Sequence, residues 1–303
     1  MKPALVAAQN SIPLPSAVSP SLLRLVALWQ LSKPRVTILV WLSALAAMWL
    51  PGKPFSWWVL VATATGVWLV VASANGWNQV LERCHDAQMK RTAQRPIPSG
   101  RLSAGEAAAI STLWGVIGVL VLWFFVNPLT AMLGAFALLT YVLAYTPAKR
   151  FTAWCTVIGA IPGAIPPVMG WTAVTGQLGT EALFLFLMQF LWQFPHFWAI
   201  AWKYRHEYRE AGFRMLPFDD QEGILLGRLM LVFAIALVGA SLVPALLGWR
   251  SALYTAGALI LGAWSLHATL MFARQPAPTT ALRVILTSVG YLPLWLLWLI
   301  LVP

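Results

Sequence analysis

The stretch WWVLVATATGVWLVVASANGW, Trp57 to Trp77, runs without a charge directly into NQVLERCHDAQMKRTAQRP, Asn78 to Pro96. A bilayer core of about 30 Å takes roughly 20 apolar residues as a helix, so the first half reads as a membrane span. The second half is a polar knot at its end. Asn78, Glu82 and Asp86 recur at i, i+4 and i+8, which sets them along one helical face, with Lys90 one turn further on. Two carboxylates and an amide in a row, with Arg91 and Arg95 close behind, suit a cation that carries a phosphate-type anion. The plainer alternative is a solvated helix end whose charges mark the membrane boundary.

The rest of the chain repeats the apolar half. It is 60% hydrophobic and 10% charged, with a mean hydropathy of +0.75, well beyond the roughly 45–50% apolar content of soluble domains. That composition predicts an all-α polytopic membrane protein. About nine spans are expected, near Thr37 to Leu50, Trp57 to Trp77, Ala107 to Val126, Leu129 to Tyr145, Thr156 to Val174, Ala182 to Trp202, Leu229 to Leu247, Ala252 to Phe272 and Val284 to Val302. No polar stretch is long enough for a separate soluble domain. The chain therefore divides into a flexible cytoplasmic tail, residues 1–20, and one membrane domain, residues 21–303. The tail lacks the apolar segment and cleavage site of a signal peptide.

A net charge of +11 raises the question of nucleic acid, but the basic residues lie in short segments between apolar runs. That placement serves topology and anionic headgroups instead. Lys and Arg collect in alternate connections: Arg83 to Arg101, Lys149 and Arg150, Lys203 to Arg228, Arg274 and Arg283. With nine spans the positive-inside rule gives a cytoplasmic N-terminus and an external C-terminus. Cys84 and Cys155 fit no metal-binding spacing and suggest no disulfide framework.

The same rule gathers the other polar clusters on the cytoplasmic side. Seven of the nine acidic residues fall in the two long cytoplasmic connections once Glu106, a capping residue, is set aside. The second of these holds Glu207 and Glu210, one turn apart on an expected continuation of the sixth span, followed by Asp219 and Asp220. They read either as a second cation site facing the first or as an ordinary interfacial loop. Tyr145-Thr146-Pro147-Ala148-Lys149-Arg150 closes the fourth span, with Lys149 and Arg150 able to hold diphosphate and Tyr145 able to donate a hydrogen bond as the leaving group gains charge. An interfacial Tyr followed by Lys and Arg is equally an ordinary membrane anchor. His196, in the sixth-span run WQFPHFW, reads either as a group that approaches a porphyrin iron or as a histidine hydrogen-bonded to a neighbouring helix.

Taken in order, these segments resemble a known family. NQVLERCHDAQMKRTAQRPIPSGR (78–101) is similar to the first signature of the UbiA-type intramembrane prenyltransferases, closest to their haem-farnesylating branch. YTPAKR (145–150), IGAIPGAIPPVMGW (158–171), FPHFWAIA (194–201) and EYREAGFRMLP (207–217) continue the match in sequence. The resemblance implies nine transmembrane helices around a cavity open to the cytoplasm, in a bacterial inner membrane. It implies transfer of the farnesyl group of farnesyl diphosphate to a vinyl group of haem b, with a hydroxyl added and diphosphate released. Asn78, Glu82 and Asp86 match the motif that holds Mg2+ and diphosphate, joined by Glu207 at an acidic position of the second motif. Asp86, Glu82, Asn78 and Lys149 take the catalytic part; Arg91, Arg95, Tyr145, Arg150 and His196 take substrate. Glu82 and Glu207 stand where Asp is usual. A neighbouring haem A synthase or haem-copper oxidase assembly is implied in the same way. Two other functions fit the residues: prenylation of a different aromatic or tetrapyrrole acceptor, and a non-enzymatic haem-binding transporter.

Overall fold

The computed structural model describes residues 19–302 except Asp219 and Gln221. The expected tail therefore lies, up to position 18, outside the described residues, as does Asp219 of the second acidic cluster. Every regular element among the described residues is helical. In chain order they are α1 (Pro20–Leu31), α2 (Pro34–Ala47), α3 (Trp57–Asp86), α4 (Ala104–Phe125), α5 (Pro128–Leu139), a π-helical segment (Thr140–Tyr145), α6 (Thr146–Phe151), α7 (Cys155–Gly163), α8 (Ile165–Thr175), α9 (Thr180–Lys203), α10 (Arg205–Glu210), α11 (Ile224–Ser241), α12 (Val243–Leu246), α13 (Ala252–Arg274) and α14 (Pro278–Leu301). Serine and asparagine side chains cap the starts of α1, α3, α4, α5 and α13, accepting from otherwise unpaired first-turn N–H groups.

Eight helices among the described residues are long and apolar enough to cross a membrane. The expected count of about nine thus holds approximately, and the departure is the first span. There α2, which covers most of the expected Thr37 to Leu50, is only 14 residues long, and a separate helix, α1, precedes it. Pro34 starts α2, and Lys33 before it takes the left-handed conformation at φ 50°. The fifth expected span is two pieces, α7 and α8, jointed at Ala164 between Pro162 and Pro166. A proline lacks the N–H that would continue the ladder, which explains both joints.

The spans close into a ring. α3 packs on α4, α4 on α5, α5 on α8, α8 on α9, and α9 on α11 and α14; α13 joins α11 to α14, and α2 bridges α14, α3 and α8. Small residues permit the closest approaches. At Gly118 of α4 an added Cβ would lie 3.0 Å from the Gly66 carbonyl of α3, and at Gly115 it would lie 2.7 Å from the Ser73 hydroxyl. Between helices in lipid such contacts replace the hydrophobic driving force available in water. Large apolar side chains such as Phe124, Leu143 and Ile260 stay exposed on the outside of the ring, as a lipid-facing surface requires.

The break between α1 and α2 is held from α3. Gln79 Nε2 donates to the Leu31 carbonyl at 2.7 Å, and Asn75 Nδ2 donates to the Ser32 carbonyl at 3.2 Å and to Thr37 Oγ1 at 3.0 Å. Backbone groups released by a broken helix need such partners inside a membrane protein.

Where α2 meets α8, Gly170 leaves no room for a side chain: an added Cβ would fall 1.8 Å from the Ala44 carbonyl. Gly170→Ala is expected to lower stability by about 1–3 kcal/mol through overpacking. Gly105→Ala, where the added carbon meets nothing within 4 Å, is the control. Thermal unfolding in detergent reads the difference, and equal melting temperatures for the two variants would remove the packing claim.

Candidate active site at the end of the third helix

With 30 residues, α3 is about 45 Å long at 1.5 Å per residue and outlasts the hydrocarbon layer. Its final turns carry the predicted row. Asn78, Glu82 and Asp86 are 1%, 4% and 0% exposed, so they do line one inward face. Buried carboxylates are costly unless paired, and each polar group of the row meets a cation from a different part of the chain. Lys149 Nζ donates to Glu82 Oε1 at 2.7 Å. Arg95 Nη1 donates to Asp86 Oδ2 at 2.6 Å. Lys33 Nζ donates to Asn78 Oδ1 at 2.6 Å.

Each cation is placed by a local irregularity. Lys33 reaches the row because its left-handed backbone turns the chain between α1 and α2. Arg95 sits in the loop after α3, which the Thr92 hydroxyl ties back by donating to the Asp86 carbonyl at 2.8 Å and Arg101 folds by donating to the Gln94 carbonyl at 2.6 Å. Lys149 follows the π segment. There Thr146 accepts from Asn78 Nδ2 at 3.3 Å and donates to the Tyr141 carbonyl at 2.9 Å, while the Lys149 ammonium lies 4.6 Å from the centre of the Tyr145 ring. π-helical turns often occur at functional positions, where they re-aim the residues that follow. Gly159 of α7 admits that ring, since an added Cβ would lie 2.5 Å from it.

Desolvation pushes the Lys33 ammonium well below the usual lysine range, and the nearby Arg95 and Lys149 charges push the same way against Glu82 and Asp86. An anion among these three basic groups would relieve that repulsion. Lys33 is the site residue that sequence reading misses: in the N-terminal flank it looks like one more topology charge, and only the Lys-Pro pair hints at an unusual turn.

Glu207 of the second acidic cluster meets the loop that follows α3. Glu207 Oε2 accepts from the Arg91 backbone N–H at 3.3 Å, and Arg91 Nη2 donates to Tyr208 Oη at 2.8 Å while lying over the Tyr204 and Tyr208 rings. Phe213 packs on His85 and Met89, and the Arg214 N–H donates to the Lys149 carbonyl at 2.7 Å. Glu207 and Glu210 are not on a continuation of the sixth span, however. Tyr204, at φ −107° and ψ 21°, ends α9, and the two glutamates belong to the separate turn α10.

Arg150 and His196 have protein partners. Arg150 Nη2 donates to the Leu81 carbonyl of α3 at 2.9 Å, fastening α6 to α3. His196 Nδ1 lies 2.7 Å from Ser288 Oγ of α14, with its ring stacked on Trp192 at 4.9 Å. That is the histidine bonded to a neighbouring helix, one of the two readings open in the sequence.

The donor set fits a hard divalent cation that arrives with its own oxygen ligands. Asp86 Oδ1 is buried and has no hydrogen-bond partner, and no group of three His, Cys, Asp or Glu among the described residues forms a metal cage. Mg2+ commonly binds through one or two carboxylates, with phosphate and water oxygens completing its shell.

Known proteins match this chain over nearly its whole length. The sequence profile of the UbiA prenyltransferase family matches residues 39–301. A "Protoheme IX farnesyltransferase" of Solibacter usitatus is 43% identical over 275 residues, covering 88% of this chain and 94% of its own. One of the same name from Koribacter versatilis is 40% identical, covering 88% and 89%. Among solved structures, that of digeranylgeranylglyceryl phosphate synthase superposes with a TM-score of 0.75 at 17% identity, covering 91% of this chain and 97% of the other. A UbiA homolog from Archaeoglobus fulgidus bound to DMAPP and Mg2+ gives 0.63 at 15% identity, covering 88% and 98%. At such identities the two structures speak for the fold alone.

The Lys149–Glu82 pair supplies a direct test. Lys149→Met strands a buried carboxylate and is expected to cost about 3–5 kcal/mol. The double variant Glu82→Gln/Lys149→Met, which removes both charges, should recover most of that loss in a thermal melt. A single variant as stable as the parent would contradict the pairing.

Proposed function

This chain belongs to the UbiA prenyltransferase family, and we propose that within it the protein transfers the farnesyl group of farnesyl diphosphate to a vinyl group of haem b. The observation that carries the reading is the buried row Asn78, Glu82, Asp86 with Lys33, Arg95 and Lys149 converging on it, in a chain 43% identical to a "Protoheme IX farnesyltransferase".

Asn78, Glu82 and Asp86 would hold Mg2+ through the free Asp86 oxygen and its neighbours, with Glu207 contributing from the opposing wall. When bound, the ion supplies Lewis-acid stabilisation of the diphosphate. Lys33, Arg95 and Lys149 bind the diphosphate oxygens and take up the charge that develops as the allylic C–O bond breaks. Arg91 and Arg150 extend the basic rim, and Tyr145 supports Lys149 through its ring. The electron pair leaves with diphosphate. The vinyl group then bonds to the allylic carbon, and water adds to the resulting cation and loses a proton, giving the hydroxyethylfarnesyl group. Aromatic side chains of the bundle suit the farnesyl chain.

The bacterial relatives support an inner-membrane location, and charge placement supports a site facing the cytoplasm. The N-terminus is then cytoplasmic and the C-terminus external if α2 counts as a crossing. Haem A synthase and haem-copper oxidase assembly are the natural recipients of the product.

Asp86→Ala is expected to insert in the membrane at wild-type levels yet lose about 10²–10³-fold or more in diphosphate release. Release by wild type should require farnesyl diphosphate, protohaem and Mg2+ together and should stop on chelation. Full activity in the variant would sink the role of Asp86, and release without protohaem would point to another acceptor.

A further inference from the structure

Beside the active site, sharing one wall with it, lies a second concavity of about 470 Å3, within the roughly 300–1,000 Å3 of small-molecule sites. It sits where α9 gives way to α10 and the following loop. Arg205, Arg209 and Arg214 line it together with Tyr208, Phe213 and Phe218. The sequence reading gave the arginines only a topological role, and nothing in the proposed transfer step uses them.

The lining is cationic over an aromatic floor. Its one acidic member among the described residues, Asp220, is already committed: Oδ1 accepts from the Gly223 N–H at 2.9 Å and Oδ2 from the Leu226 N–H at 3.0 Å, at the start of α11. Arg205 is spread over the Trp202 ring at 4.1 Å with Nη1 donating to the Trp202 carbonyl at 3.0 Å, and its Nε is buried without a partner. Desolvation, then the adjacent Arg209, pull the Arg205 guanidinium below its ordinary range. Arg214 has an exposed side chain, and its backbone N–H is fixed to the Lys149 carbonyl. These features ask for a ligand with carboxylate or phosphate groups at one edge and a flat apolar body.

The shared wall gives the direction. Tyr208 lines the cavity and accepts from Arg91, while Phe213 lines it and lies 4.9 Å from His85, one residue before Asp86. Building on the haem-acceptor reading, we propose that this cavity is the docking site for the propionate edge of the tetrapyrrole, with Arg205 and Arg214 taking the two carboxylates. Protohaem carries its propionates and vinyls on opposite sides of the ring, so carboxylates held at this outer cavity leave the vinyl edge to lead toward the diphosphate row. Arginine forks suit planar carboxylates bidentately, and the aromatic floor suits the macrocycle.

An acidic phospholipid headgroup offers similar chemistry, and the experiment separates the two. The purified full-length protein in phosphatidylcholine nanodiscs is titrated with protohaem and with its dimethyl ester, following the Soret band. Arg205→Gln/Arg214→Gln should weaken protohaem binding at least about tenfold and leave the affinity for farnesyl diphosphate with Mg2+ unchanged. The ester should bind wild type more weakly and be indifferent to the substitutions. Arg214→Gln alone, at an exposed side chain, should show a partial loss and guards against misfolding of the double variant. Unchanged protohaem affinity in both variants, or equal binding of acid and ester by wild type, overturns the proposal while leaving haem as acceptor. A defect that appears only in phosphatidylglycerol nanodiscs assigns the cavity to lipid and overturns it too. Wild type that binds no protohaem at all overturns the acceptor reading and this inference with it.

Discussion

Two carboxylates buried at the end of a membrane helix set the terms for everything around them. Glu82 and Asp86 cannot stay ionised in that setting without cations at hydrogen-bond distance, and Lys149 and Arg95 provide them at 2.7 and 2.6 Å. With Lys33 on Asn78, three basic groups converge from three non-consecutive parts of the chain. Each stands in or directly after an irregular stretch of backbone. Lys33 is in a left-handed turn, Arg95 in a folded loop, and Lys149 just beyond a π segment. Strained or irregular backbone of this kind persists where the surroundings over-determine it, and the polar face of α3 is what does so here.

The electrostatic balance accords with the proposed diphosphate ligand. Three basic groups face two carboxylates, so a bare cation meets a neighbourhood already supplied with positive charge, whereas a polyanion carrying its own metal meets one that welcomes it. Asp86 keeps one oxygen unengaged, enough for an ion whose remaining ligands come with the substrate. The second acidic segment then acts as cover. Its contacts to the first loop run through Arg91, Tyr208 and Phe213, aromatic and cationic groups that close the site without consuming the carboxylates of the row.

Much of this was legible in the sequence, and what was not has a physical reason. Long apolar runs announced the spans because a bilayer imposes one length on all of them, and the i, i+4, i+8 spacing announced the row because a helix imposes one period. Lys33 escaped because flanking charges are ordinary at membrane boundaries, and composition does not distinguish a lysine that marks a boundary from one that folds back 45 positions to an asparagine. The π segment at Thr140–Tyr145 escaped because one extra residue per turn leaves no compositional trace. The break at Tyr204 escaped for a related reason: both sides of it favour helix, and only the packing of α10 on the first loop separates them.

The joint between α1 and α2 bears on how the protein is made. The Ser32 carbonyl has a local partner in the Thr37 hydroxyl as well as Asn75, but the Leu31 carbonyl is satisfied by Gln79, which lies more than forty residues later in the chain. During synthesis the first two helices leave the ribosome before the helix that holds their bend. Until α3 enters the bilayer beside them, the Leu31 carbonyl depends on water, the translocon or a straighter helix. The helix that completes this joint is the same one that carries the polar row, so the bend and the row arrive together.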